Sequence, residues 1–257
     1  MSFYLALPSD SSFRYFPENK TSSYTTKLPK EVVVYDDYEI GLSTIHFPLT
    51  YFNVKKDEFK IYKITDGLDP FLEDNYVEIY SIPEGRYPPD TMVEEMFKGI
   101  DKSFIDVSVS KINRRVTMKI GNEWDIAITY KLLNFLGGKF RPKPQDRVAF
   151  DKGKTYAGLN VIQYQRACHN LYIYCDLVEP RPVGDTQVSL LSVVPNPTGG
   201  SFGDTVVQRF ENIRYFPLGK RRFDSVKIDV MSDIGERIPF EDGKIFIELH
   251  LRKVKKR

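Results

Sequence analysis

The chain has 257 residues, of which 41% are hydrophobic, 28% charged and 14% aromatic, a composition that can bury a core and excludes a disordered protein. Its 37 Lys and Arg are nearly balanced by 35 Asp and Glu, and a formal charge of +2 gives no general reason to expect nucleic acid or an anionic membrane as the main partner. With 16 Tyr, 18 Phe and frequent Val and Ile, punctuated by 16 Pro and 16 Gly, the expectation is short β-strands in one large domain.

The first residues, MSFYLALPSDSS, lack a basic leader and lose their apolar run at Pro8, so no signal peptide is expected. No run reaches the roughly 20 apolar residues of a membrane span, and synthesis in the cytosol follows as the expectation. Residues 1–37 mix Ser, Thr, Pro and Asn with aromatics and read as an extended N-terminal arm. Within it Phe13, Tyr15 and Phe16 are the expected anchors on a neighbouring subunit, because extended segments gain most from burying exposed rings. The alternative is that they fold back on their own sheet.

From Tyr38 the segments YEIGLSTIHF, FKIYKI and YVEIYSI read as strands. Residues 90–101, DTMVEEMFKGID, read as a helix, with Thr91 and Glu94 at capping-box spacing and Met92, Val93, Met96, Phe97 and Ile100 in one apolar stripe. Such a stripe covers a sheet rather than a ligand. RRVTMKI and WDIAITY read as two strands of a hairpin turning at Gly121 and Asn122, and KLLNFLGG as a short helical turn.

The last hundred residues alternate most clearly. In LYIYCDLV the residues Leu171, Ile173, Cys175 and Leu177 share one face, and in IFIELHLR so do Ile245, Ile247, Leu249 and Leu251. VSLLSVV, QRFENIRYFPL and SVKIDVM lie between, joined by loops rich in Gly, Pro and Asp. Many short strands without βα alternation indicate an all-β jelly-roll sandwich of two antiparallel sheets. It is expected over residues 38–251, with one or two short helices in an insertion near 90–140 and a basic tail at 252–257.

Catalytic signatures are missing from the sequence. His46, His169 and His250 stand apart from one another, and no C-x-x-C pattern accompanies them. Cys168 and Cys175, seven apart in one strand-like stretch, are expected on opposite faces and unpaired, as in a reducing compartment. The glycines build no nucleotide loop and no nucleophile elbow. Asp233, Glu236, Glu241 and Asp242 read as solvated turn residues rather than a catalytic or calcium-binding set. The expectation is no enzyme, no metal and no cofactor. In the tail, Arg252, Lys253, Lys255, Lys256 and Arg257 could contact nucleic acid or an acidic partner, as could the group Lys220, Arg221 and Arg222. The alternative is a solubilising end.

The segments LYIYCDLVEPRPVGDTQVSLLSVVP, RFENIRYFPL and FDSVKIDVMSDIGERIPFEDGKIFIELHLR carry a further signal. Together with MSFYLALPSDSS, YFPEN, YTTKLP and LSTIHFPLTYFNV, they resemble the penton-type minor capsid proteins of Polinton or Maverick elements and adintovirus-like double-stranded DNA viruses. The resemblance runs nearly end to end and rests on packing and turn motifs. It implies a single jelly roll in the virion capsid, assembled as a homopentamer at the fivefold vertices beside a double jelly-roll major capsid protein. At 257 residues the chain is short for a double jelly roll itself. Two competing expectations are a jelly-roll carbohydrate- or receptor-binding module and, less well supported by three scattered histidines, a cupin-like enzyme.

Overall fold

The computed structural model describes residues 2–65, 75–88, 90–138, 147–162, 168–197 and 199–254. The chain divides into two compact units, Met1–Tyr51 with Ala167–Arg257, and Phe52–Arg166. The first opens with β1 (Ser2–Pro8), β2 (Ser23–Val33) and β3 (Tyr38–Pro48). The second contributes β4 (Lys60–Ile64), β5 (Tyr76–Ser81), α1 (Met92–Phe97), β6 (Ile105–Val109), β7 (Val116–Ile120), β8 (Ile126–Thr129), α2 (Tyr130–Phe135), β9 (Arg147–Phe150) and β10 (Thr155–Ala157). The chain then returns to the first unit for β11 (Asn170–Cys175), β12 (Arg181–Val183), β13 (Thr186–Val188) and β14 (Leu190–Pro195). It finishes with β15 (Thr205–Arg209), β16 (Phe216–Pro217), β17 (Arg222–Met231) and β18 (Phe246–Lys253).

In the first unit one sheet runs β1-β18-β3-β15, with the short β16 also on β3, and the other runs β14-β11-β17-β2, all antiparallel. Setting aside β12, β13 and β16, eight strands remain. Numbered along the chain, they give sheets of order one, eight, three, six and five, four, seven, two. Every connection except four to five passes from one sheet to the other. That order is the jelly roll.

The inward faces of both sheets form one apolar core, with Leu7, Ile40, Ile45, Phe47, Ile247, Leu249 and Leu251 from the first and Tyr24, Ile173, Val194, Val226 and Ile228 from the second. Period-two patterning produces this directly, because alternate residues of a strand meet opposite faces. Tyr24 ties the sheets together: its buried hydroxyl donates 3.0 Å to the Leu7 carbonyl. Burial pushes this phenol far above the ordinary tyrosine range, with a smaller contribution from Cys175.

The second unit has a core of its own. A four-stranded sheet β5-β4-β8-β9 and a three-stranded sheet β10-β7-β6 contribute to it with Met92, Val93, Met96 and Phe97 of α1 and Leu132, Leu133 and Phe135 of α2. Phe59 and Phe135 pack with ring centres 5.2 Å apart. This unit spans Phe52–Arg166, wider at both ends than the insertion expected near 90–140.

Three other sequence expectations are corrected. Residues 1–37 are not an extended arm: β1 pairs with β18 along its whole length, and β2 pairs with β17. The sequence hides both strands because they lie at sheet edges: β1, SFYLALP, is apolar on both faces, and β2 is interrupted by Pro29 and its flanking lysine, so neither alternates cleanly. β7 and β8 do not form a hairpin. β7 pairs with β6 and β10, while β8 pairs with β4 and β9. Gly121 donates its N–H to the Phe104 carbonyl and accepts from Gly153, so the turn residues serve other segments. At α1, Thr91 precedes the first helical turn, but its side chain makes no capping hydrogen bond.

A chain lacking residues 1–8 loses the buried Leu7 and exposes the edge of β18. We expect it to lose cooperative thermal unfolding of the sandwich by calorimetry, whereas removal of a true arm would leave the transition unchanged. Truncating the fully buried Ile247 to Ala is expected to cost about 2–5 kcal/mol in denaturant unfolding.

Candidate assembly surfaces

The strand registers define two ends of the sandwich. Pro8, at the end of β1, lies opposite Phe246, at the start of β18, and Thr205, at the start of β15, lies opposite Pro48, at the end of β3. Loops 9–22, 196–204 and 232–245 therefore gather at one end. Loops 34–37, 176–189 and 210–221 gather at the other, together with Val254, which donates to the Asp37 carbonyl.

The rings singled out in the sequence sit at the first end. Tyr15 and Phe13 are 62% and 49% exposed, and Phe16 is half-buried. They are presented by an anchored turn rather than a loose tether. Ser12 adopts φ 63°, and its carbonyl accepts the N–H groups of both Tyr15 and Phe16 at 2.9 Å. The Asn19 amide donates to the carbonyls of Ser11 and Thr25, and its oxygen accepts the Thr25 N–H. Phe202 and Ile234 are exposed on the other two loops of this end. Sequence reading missed both, since nothing local marks two residues from different loops as neighbours of one end.

The basic residues fare differently. Arg252 and Lys253 lie within β18, not beyond it, and pair with Glu39 at 2.6 Å and Asp36 at 2.7 Å. Lys220 pairs with Asp176, Arg221 with Asp37 and Arg222 with Glu31. Exposed pairs add little stability, but they cancel the charge a polyanion would seek. Lys255, Lys256 and Arg257 lie outside the described residues.

The three histidines occupy separate places. His250 sits on the outer face of β18, stacked on Tyr4 at 4.5 Å, with its Nδ1 2.6 Å from the Tyr215 hydroxyl. Burial first, and Arg252 second, lower its pKa, which favours the neutral imidazole. His46 lies against Phe246 on the same outer face, at 5.2 Å. Among the described residues no three His, Cys, Asp or Glu side chains are placed to hold a metal ion.

Asp233 is more than a solvated turn residue. Its carboxylate accepts the backbone N–H of His169 at 2.5 Å, the N–H of Asn170 at 3.1 Å and the Asn170 amide at 2.9 Å, joining the β17–β18 loop to the start of β11. Partial burial raises its pKa, but these hydrogen bonds outweigh it and hold the carboxyl below the ordinary range. Cys175 lies in the core, where burial pushes its thiol up to about 12. Cys168 precedes β11 and packs, half-buried, against the same core, so the expected opposite facing does not hold. No disulfide joins them.

The second unit contains a cavity of about 210 Å³ lined by Val116, Met118, Leu133, Leu136, Phe150 and Tyr156. Its apolar walls offer no convergent acid, base or nucleophile.

What the first unit presents is a complete jelly roll with rings at one end and paired charges at the other. The chain is similar to the mavirus penton protein. A crystal structure of that protein superposes with a TM-score of 0.51, covering 99% of this chain and 100% of the other at 10% identity. At that identity the likeness is one of fold. No protein-family model matches the chain, and no curated protein does.

Asp233→Asn should destabilise the protein by about 1–2 kcal/mol at pH 7, since it weakens charge-assisted hydrogen bonds. With the folded-state pKa depressed, that stability is complete above the unfolded value near 3.8 and is lost as pH falls through the folded one. Urea unfolding of both forms at descending pH should show the gap closing. Alkylation of the native protein at pH 8 should spare Cys175 until the chain unfolds, read by mass spectrometry.

Proposed function

We propose that this chain is a penton-type minor capsid protein, structural rather than enzymatic, of a Polinton-like or adintovirus-like element. Its role is to assemble as a homopentamer at the fivefold vertices of an icosahedral capsid, beside a double jelly-roll major capsid protein. The single observation that carries this reading is the likeness to a penton protein over essentially the whole of both chains, in a sandwich with complete jelly-roll order. The sequence resemblance adds support from packing and turn motifs.

The physical mechanism is closure by rotation. Head-to-tail contacts between identical subunits form a ring when the rotation between neighbours closes. Phe13 and Tyr15, held outward on a stiff turn, give such contacts apolar anchors at little conformational cost. Any contact with packaged DNA falls to Lys255, Lys256 and Arg257, because the other basic residues of the tail already have carboxylates. The same exposed rings at loop tips also suit a carbohydrate- or receptor-binding role, which binding to a glycan array would reveal.

Light scattering on the purified protein should give about five times the 29.8 kDa of one chain, with fivefold rings in negative stain. A strict monomer at high concentration would sink the homopentamer. Phe13→Ala and Tyr15→Ala should each raise the concentration needed for assembly by about tenfold, with thermal stability unchanged.

A further inference from the structure

Near the end of the sandwich where Lys220, Arg221, Arg222, Arg252 and Lys253 are each matched by a carboxylate, two arginines are not. Arg181, at the start of β12, holds its guanidinium carbon 4.0 Å from the centre of the Phe216 ring, and that of Arg214 lies 5.4 Å from the same ring. Arg181 is pinned, its Nε and Nη2 donating to the Leu190 carbonyl at 3.3 and 3.1 Å. Arg214 is exposed, and its backbone lies close upon β3 at Gly41. A methyl group on Gly41 would stand 2.7 Å from the Arg214 carbonyl oxygen, so the absent side chain is what lets this segment settle there.

Among the described residues neither arginine has an ion pair. Both cations share one ring, so they lie within about one Debye length of each other. The ring face attracts each of them, yet they repel one another. Arg181 is pushed below the ordinary arginine range, by burial first and by Arg214 second. An arrangement that brings two guanidinium forks together and leaves them without an anion is relieved by one.

We propose that Arg181 and Arg214 form a receptor for a carboxylate carried by a second copy of this chain. The inference rests on the assembly reading above and names a contact within it. The Arg214 fork matches a planar carboxylate in two hydrogen bonds, while Arg181, whose Nε–Nη2 edge is turned to the Leu190 carbonyl, adds its charge and its remaining N–H groups. A nucleic-acid backbone fits less well, because among the described residues the neighbouring Lys220, Arg221, Arg222 and Arg252 already have carboxylates. The same region of the sandwich carries Glu179, Asp185 and Glu211, exposed and without an ion pair among the described residues. Unmatched charge of both signs on one subunit is what a head-to-tail contact between rotated copies uses.

The test is Arg214→Glu, which alters an exposed side chain whose contact with the core is its approach to the Phe216 ring, measured by light scattering across protein concentration beside the wild type. We expect the concentration for assembly to rise at least about tenfold with the melting temperature held, and Arg214→Gln to fall between. Should the Glu variant fail to fold, the Gln variant decides alone by the same measure. A variant that assembles as the wild type does overturns the receptor and leaves the pentamer standing. A wild type that never assembles overturns the pentamer and the receptor together. Normal assembly with lost binding of a short DNA duplex, followed by fluorescence anisotropy, also overturns the carboxylate, in favour of phosphate.

Discussion

The pairing of the first strand with the last holds the sandwich together. β18 lies between β1 and β3, and every inward residue it carries, Ile247, Leu249 and Leu251, is sealed in the core. The register leaves no freedom, because a slip by one residue would turn that apolar face to water and bring Glu248 and His250 inside. A bulge in β3 at Ser43, opposite the step from Glu248 to Leu249, keeps the two strands in phase. The remaining order follows from this seam: β3 can reach β15 only on its far side, and the second sheet must cover the apolar face the first presents.

Much of this was legible in the sequence wherever a strand buries one face and wets the other. IFIELHLR and LYIYCDLV gave their inward residues correctly, and the stripe through Met92, Val93, Met96 and Phe97 gave the buried face of α1. The failures have a common cause. Pairing is non-local, so a strand-forming segment does not say which partner it takes, and β7 and β8 went to different sheets although Gly121 and Asn122 lie between them. Edge strands carry a weaker pattern, so β1 and β2 read as an arm. The surface was less legible still. Phe13 and Tyr15 could be seen as exposed rings, but the grip of Asp233 on Asn170 and the meeting of Arg181 with Arg214 join residues far apart in the chain.

The distribution of charge separates two kinds of surface that composition alone merges. A net charge of +2 conceals a sandwich end where Lys220, Arg221, Arg222, Arg252 and Lys253 are each matched with a carboxylate. Such matching suits a protein that meets protein, because it lowers non-specific attraction to nucleic acid while leaving the few unmatched groups to set orientation. Stacking Tyr4 on His250 and laying the Tyr215 ring beneath Arg252 gives the outer sheet face a similar economy: its aromatic and cationic groups are engaged within the subunit.

The interruption of the sandwich between β3 and β11 sets a timetable for synthesis. Residues 52–166 are contiguous and build their own core, so that unit can fold as soon as it leaves the ribosome. The strands before it cannot, because β1 needs β18 and β2 needs β17. At about 5–20 residues per second, the roughly 200 residues separating β3 from β18 take on the order of 10–40 s to appear. For most of that interval three strands with apolar faces wait for partners, β3 until β15 and β2 until β17, and β1 waits to the end, in the conditions where exposed edges pair wrongly between chains. Holding such chains apart until they are complete is a task for chaperones, and polysomes translating many copies side by side would feel the need most.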